Sequence, residues 1–320
     1  MSKKFFLGMH NLDRSWKFDR LFVSANRLWD RVPTIVCDEW VMDSGAFTEI
    51  STHGCYRRAV EDYARLIKNF ARYKGLVAAV AQDFMCERMI CSKVLGQTEI
   101  SARVWARQIG EHQRMTIERY DALVACDLGG VYLMPVLQGY TPTQYVRHLR
   151  QYGSRIAQGA WVGVGSVCKR QGDPDAIVAV LKAIKAERPD IRLHGFGVKL
   201  TALRDPRVVE LLHSADSMAW SFAARKRKGD QNSDWVARSF EADVLDAMGQ
   251  PYGEWLAINM RDGKAKRYAI EDNAKAGARR VKRAKDNAIW KEIEAKARIE
   301  DTKNLARANA RYAGPTTSGA

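Results

Sequence analysis

The sequence predicts an α/β fold, a (β/α)8 TIM-type barrel with a basic C-terminal helical extension, on three observations. Some eight short apolar runs are spread over roughly the first 220 residues, amphipathic stretches separate most of them, and several runs are apolar without alternation. Strands buried on both faces read this way, and successive β-α units close into a barrel or open into a doubly wound sheet. An open dinucleotide-binding sheet calls for a glycine-rich turn after its first strand, where this chain reads His10-Asn11-Leu12-Asp13. The barrel is therefore expected.

Taken in order, the runs predict strands over 5–9, 21–24, 39–42, 76–81, 130–137, 161–165, 192–198 and 217–221. Between them, 56–73 places Val60, Tyr63, Ala64, Ile67 and Phe70 on one helical face, and a long helix is expected over 100–125. Pro142, Pro174 and Pro206 each suit a first helical turn, with Thr141, Asp173 and Asp205 before them as N-caps. The last barrel helix falls over 233–248, and a boundary near Gln250-Pro251-Tyr252-Gly253 divides a barrel domain, 1–250, from an extension, 251–320.

Composition narrows the class. With 320 residues, 46% hydrophobic and 28% charged, the chain is neither disordered, collagen-like nor a disulfide scaffold. Six scattered cysteines and no signal-peptide pattern predict reduced thiols in a cytoplasm, and no apolar stretch reaches the roughly 18 residues of a membrane span. Lys and Arg number 52 against 37 Asp and Glu, a net +15 that favours a polyanionic partner. From residue 261 onward 16 basic residues face 8 acidic ones, and 270–311, rich in Ala, Lys, Arg and Glu, reads as a basic helical arm.

The apolar runs end on polar residues: Asp43-Ser44-Gly45, Gln82-Asp83, Gln138-Gly139, Ser166 and Lys199. In a barrel these ends converge on one mouth, where barrel enzymes place their chemistry, although any single Asp there also suits a cap or turn. Asp216 falls at the entry to the expected last strand. Carboxylates at such a mouth suit chemistry at an anomeric carbon, one as nucleophile and one exchanging a proton with the leaving group. Metal hydrolysis fits less well, because the six His form no H-x-H or H-E-x-x-H and Cys86-x4-Cys91 stands alone. Cys168 and His194 invite a metal role individually, but a buried Cys is ordinarily a small hydrophobe and a lone His a satisfied core residue. No G-x-S-x-G elbow is present, so Ser166 is expected to bind rather than attack. Phe47, Phe84 and Trp220 could stack on a planar base or simply pack the barrel, packing being favoured for Trp220. Arg225-Lys226-Arg227-Lys228 is a candidate phosphate contact, as is Lys199.

In order along the chain, Met42-Asp-Ser-Gly-Ala-Phe47, Ala81-Gln-Asp-Phe84, Val136-Leu-Gln-Gly139, Val162-Gly-Val-Gly-Ser-Val167, His194-Gly-Phe-Gly-Val-Lys199 and Ala215-Asp-Ser-Met-Ala-Trp-Ser-Phe-Ala-Ala-Arg225 resemble the tRNA-guanine transglycosylase superfamily, and within it the DpdA-type DNA-guanine transglycosylases. The resemblance covers roughly 5–225. It implies exchange of guanine in DNA for a 7-deazaguanine such as the 7-cyano form, with Asp216 as nucleophile of a covalent glycosyl-enzyme and Asp43 as general acid/base. It also implies that Asp83, Gln138, Gly165 and Ser166 contact the base, with Ser44 and Phe47 beside them. The superfamily's zinc motif, Cys-x-Cys-x2-Cys with a distant His, has no counterpart, since no Cys or His follows His213. No cofactor is expected; DNA and a 7-deazaguanine base are the expected partners, with a helper ATPase and the oligomeric state left open. The alternatives are the same exchange on tRNA and a non-catalytic nucleic-acid-binding relative.

Overall fold

The computed structural model describes residues 3–249 apart from 13–14, 16–17, 30–34, 36, 168–172, 227–229 and 231. The expected extension and basic arm, Cys168, Arg227 and Lys228 lie outside the described residues, as do the side chains of Arg225 and Lys226.

Nine parallel strands are described, β1 (Lys4–Met9), β2 (Arg20–Ser24), β3 (Glu39–Asp43), β4 (Leu76–Val80), β5 (Tyr132–Met134), β6 (Val136–Leu137), β7 (Trp161–Val164), β8 (Arg192–Gly195) and β9 (Ser214–Ser217). Their order in the sheet is β5-β4-β3-β2-β1-β9-β8-β7-β6. The two ends of that order are halves of one expected strand, interrupted at Pro135, which has no N–H to donate. Its carbonyl still accepts the Gly163 N–H at 2.9 Å, while the Met134 carbonyl accepts the Ala81 N–H at 2.9 Å on the other side. The sheet thus curls into an eight-fold (β/α) barrel whose seam is this proline.

Helices ring the sheet. The expected caps form: Thr141 and Gln144 make a reciprocal box at the start of α5 (Pro142–Tyr152), Asp173 accepts the Ala176 N–H at α6 (Pro174–Glu187), and Asp205 accepts the Arg207 N–H at α8 (Pro206–Leu211). Amphipathic α2 (Val60–Ala71) buries Tyr63, Ala64, Ile67 and Phe70, and the Tyr63 hydroxyl donates to the Val80 carbonyl at 2.9 Å. The long α4 (Ala102–Val124) and the last barrel helix, α10 (Asp234–Ala247), fall where periodicity places them. Four short helices were not expected: α1 (Ala46–His53), α3 (Arg88–Val94), α7 (Leu200–Leu203) and α9 (Ala219–Lys226).

The expected strand over 217–221 requires correction. The last strand is Ser214–Ser217, paired with β1 from Lys4↔Ser214 to Leu7↔Ser217, and the apolar residues after it wind into α9. Small residues fit here because β1 passes close by: a Cβ on Gly8 would lie 2.7 Å from the Met218 Cβ. Asp216 consequently stands near the C-terminal end of its strand, on the mouth side, rather than at the strand's entry. Likewise β8 stops at Gly195, so Phe196 to Val198 belong to the loop above it.

At the opposite, N-terminal end, Glu39 receives Lys4 at 2.7 Å and Arg20 at 2.8 Å, tying three neighbouring strands together. The barrel interior is aromatic: Phe22 stacks on His194 at 5.3 Å, with Phe6, Trp161 and Phe196 edge-on or tilted around them. Gly163 makes room for this layer, since a Cβ there would collide with the Phe196 ring. No described helix is long and apolar enough to cross a membrane.

Candidate active site

The strand ends bring Asp43, Asp83, Gln138, Gly165, Ser166 and Asp216 to one mouth, above the aromatic layer. Asp43 is the last residue of β3, in register with Ser24 of β2. Beyond it the chain must turn sharply into α1, and Gly45 makes the turn with φ +77°, where a Cβ would lie 2.5 Å from the Asn26 amide nitrogen. The turn aims the Gly45 N–H at Asp43 Oδ2, 3.2 Å away, and buries Ser44 beside it. The Asp43 carboxyl is nevertheless pushed up to about 7 by burial and then by the negative charge of Asp216, which outweigh the N–H groups of Gly45 and Ser44 and the Ser24 hydroxyl. An acid poised there can give and take a proton near neutral pH.

Asp216 is 7% exposed, and among the described residues two hydrogen bonds reach its carboxyl, both on Oδ1: the Gly197 N–H at 2.9 Å and His194 Nε2 at 3.2 Å. Gly197 can reach because the loop above β8 turns through its φ of +60°. Two N–H donors stabilise a carboxylate charge that is otherwise shut away from water.

A second cluster lies across the mouth. Asp83, three residues past β4 and 6% exposed, shares its backbone N–H and carbonyl with the Tyr56 hydroxyl, each at 2.9 Å. Its carboxylate Oδ2 accepts from Gln138 Nε2, and Gln138 Oε1 in turn accepts from the Ser166 hydroxyl at 2.8 Å. Burial pushes the Asp83 carboxyl up to about 7, against the Gln138 hydrogen bond. Gln138 is fixed from behind: its N–H donates to His148 Nδ1 at 2.9 Å and its carbonyl accepts from Gln113 Nε2 at 2.7 Å. His148 Nε2 donates to the Gln113 carbonyl at 3.1 Å, so this buried ring is neutral, and its own proton affinity falls to about 3.

Gly165 and Ser166 complete this side. Ser166 has a φ of +59°, the sole non-glycine with positive φ among the described residues, and strain of this sort collects at ligand sites. A Cβ on Gly165 would collide with the Gln138 amide, and its carbonyl accepts the Tyr145 hydroxyl at 2.6 Å. Glycine at 165 therefore lets the Gln138 amide pack directly against the backbone.

The other candidates fall elsewhere. Phe47 is 53% exposed on α1, at the rim, and Lys199 is exposed at the start of α7. Phe84 is buried against Tyr56 and His112, and Trp220 is buried with its indole N–H on the Gly8 carbonyl at 3.0 Å, so both rings are engaged in packing. His194 has both ring nitrogens hydrogen-bonded, to Ser214 and Asp216. Sequence reasoning missed Gly197, Ser24, Tyr145, His148 and Gln113, which act by backbone N–H, hydroxyl or buried support. For Gly197 the signal in the sequence is the Gly195-Phe-Gly197 turn at the end of a strand.

Among the described residues, no group of three or more His, Cys, Asp or Glu side chains is arranged to hold a metal ion. The strand ends thus carry two groups of polar side chains, Asp43 with Asp216 and Asp83 with Gln138 and Ser166. Comparison with curated proteins finds no match. The family comparison does: over residues 1–239 the chain matches DpdA, DeoxyPurine in DNA protein A, and with three quarters of its length so covered it belongs to that family.

Proposed function

We propose that this family member exchanges guanine in DNA for a 7-deazaguanine, the 7-cyano form being the first to test, through a covalent glycosyl ester on Asp216. The observation that carries the reading is the contrast between two acids at one barrel mouth. Asp216 has its charge supported by two N–H donors, while Asp43 is pushed up to about 7 and so holds a proton part of the time. In the first half-reaction an Asp216 oxygen forms a bond to the anomeric carbon, the glycosidic bond to guanine N9 breaks, and Asp43 supplies the proton that guanine takes up. In the second, Asp43 removes the N9 proton of the incoming base, the new glycosidic bond forms, and the ester electrons return to Asp216.

Base recognition fits the second cluster. Asp83 can accept the adjacent N–H groups of a guanine edge, Gln138 and Ser166 offer a donor and acceptors, and the Gly165–Ser166 backbone is the proposed further contact to the base. The base must leave the duplex stack to get there, at a cost of roughly a few kcal/mol. The basic run 225–228, the arm over 270–311 and the exposed Lys199 are the proposed phosphate contacts. The chain is proposed to work without a cofactor, and a helper ATPase belongs to the same test.

Labelled 7-cyano-7-deazaguanine and labelled guanine offered in parallel with duplex DNA and bulk tRNA test the reading. Label entering DNA alone supports it. Label entering tRNA alone would replace it with the tRNA exchange, and DNA-binding without incorporation of either base, with and without added cell extract as a source of helper protein, would favour the non-catalytic relative.

A smaller change tests the Gly165 contact. In Gly165→Ala the new methyl displaces the Gln138 amide from Asp83, and overpacking of this kind costs about 1–3 kcal/mol. The expected result is a roughly 10- to 100-fold loss of kcat/KM for the free base with DNA affinity unchanged. Wild-type kcat/KM would remove Gly165 from the base site.

A further inference from the structure

Parallel register explains a chain of hydrogen bonds beneath Asp216. Residues two apart on a strand share a face, so Ser214 and Asp216 both point inward from β9. His194 on β8 lies opposite Ser214, and its ring spans the two: Nδ1 is 2.9 Å from the Ser214 hydroxyl and Nε2 is 3.2 Å from Asp216 Oδ1. Trp161 on β7 completes the series, its indole N–H donating to Ser214 Oγ at 2.8 Å. All four side chains are buried, and the imidazole is wedged between Phe22, Phe6, Trp161 and Phe196.

The donors and acceptors have one consistent neutral assignment. An indole can only donate, so Ser214 receives that bond and its own proton is available to His194 Nδ1. A carboxylate can only accept, so Nε2 must carry the ring proton. Asp216 thus sets the tautomer, the Ser214 hydroxyl donates to the bare Nδ1, and the aromatic layer sets the ring plane.

We propose that His194, oriented by Ser214 and Trp161, is a positioning residue for Asp216: with the Gly197 N–H it reserves Oδ1 and leaves Oδ2 to attack the sugar. The inference rests on the reading of Asp216 as nucleophile. Once Oδ2 is esterified, Oδ1 is the ester carbonyl oxygen and carries little charge. As the incoming base displaces the ester, the electron pair of the breaking C–O bond returns to the carboxylate and negative charge reappears on Oδ1. The His194 and Gly197 N–H groups are already aimed at it, so they stabilise the leaving carboxylate more than the ester, and the second half-reaction is the step they accelerate.

The test uses the full chain with DNA and labelled base. His194→Phe keeps an aromatic ring in the aromatic layer and removes the donor; His194→Gln restores an N–H at the Nε2 position. Expected for His194→Phe is a roughly 10- to 100-fold fall in kcat with KM for DNA little changed, and a larger steady-state fraction of enzyme trapped as denaturant-resistant DNA adduct. His194→Gln should recover at least part of the rate, and Ser214→Ala, which removes the hydroxyl that holds Nδ1, should shift the adduct fraction in the same direction. Near-wild-type kcat in His194→Phe, or equal losses in the Phe and Gln variants with no rise in adduct, would overturn the proposal. Should His194→Phe fail a thermal-melt control, the Gln and Ala variants decide by the same readouts. Asp216→Asn run alongside separates the two ideas: adduct in that variant would sink the nucleophile reading, whereas unaltered kinetics in the His194 variants with no adduct in Asp216→Asn would sink only the positioning role of His194.

Discussion

Asp216→Asn is expected to lower base exchange by about 10³-fold or more and to abolish the denaturant-resistant DNA adduct, while leaving the barrel folded. The amide is nearly isosteric with the carboxylate, and its oxygen can still accept the Gly197 and His194 N–H groups that now bind Oδ1. What disappears is the anionic oxygen that would attack the anomeric carbon. The substitution also withdraws the negative charge that helps raise Asp43, so the Asp43 carboxyl should move back toward the ordinary carboxylate range. Thermal melts, adduct gels and label incorporation read the three consequences separately. A variant that still forms adduct at the wild-type level would return the nucleophile's role to another residue.

Asp43→Asn is expected to cost about 10²- to 10⁴-fold in exchange, the usual worth of a positioned acid/base, and to change how both rate and stability depend on pH. In the wild type the proton must be present for guanine to leave and absent for the new base to be deprotonated. With the group pushed up to about 7, exchange should peak near neutral pH and fall on either side; the variant should be slow and lack this dependence. The Asp83 carboxyl, also pushed up to about 7, titrates in the same range, so the limbs report the pair.

Stability moves with the same proton. The Asp43 carboxyl is raised in the folded chain above its ordinary value of 3.8, so the folded state binds more proton than the unfolded state between about pH 4 and 7. Its contribution is complete below about pH 4 and lost as pH rises through 7. Asp43→Asn carries no buried charge, so its stability relative to wild type should grow across that window, to about 4 kcal/mol above pH 7. Denaturant melts at pH 5 and pH 8 measure it; a stability difference independent of pH would contradict the burial and repulsion assigned to Asp43.

Much of this site could be read along the chain because it is written at the ends of apolar runs. Asp43, Asp83, Gln138 and Ser166 each stand where hydrophobicity stops, and parallel strands carry such positions to one mouth whatever the fine register. The last strand was misplaced for the opposite reason. Ser214-Ala-Asp-Ser217 has no apolar run, and pairing with β1 rather than propensity makes it a strand, while Ala219 onward is apolar enough to imitate one. The aromatic candidates depended on packing: Phe84 and Trp220 have buried partners far away in sequence, and Phe47 is turned to the rim by the Gly45 turn. The neighbours of His194 were equally hidden, since Ser214 lies 20 residues later and faces it through the register of two strands.

The pairing of β1 with β9 also orders events in time. Lys4 meets Ser214, 210 residues later, so the sheet cannot close until nearly the whole barrel sequence has been delivered. Pairings of such separation form late and slowly, because the entropy of a large loop must be overcome first. Asp216 rides on that final strand, and the mutual repulsion of Asp43 and Asp216 is therefore met only at closure, when the rest of the barrel is in place to hold them together. Until then β1 and β8 present unpaired edges, open to association with other chains. Sealing the barrel and completing its candidate catalytic pair are one event, and a nascent chain stopped short of residue 214 has neither.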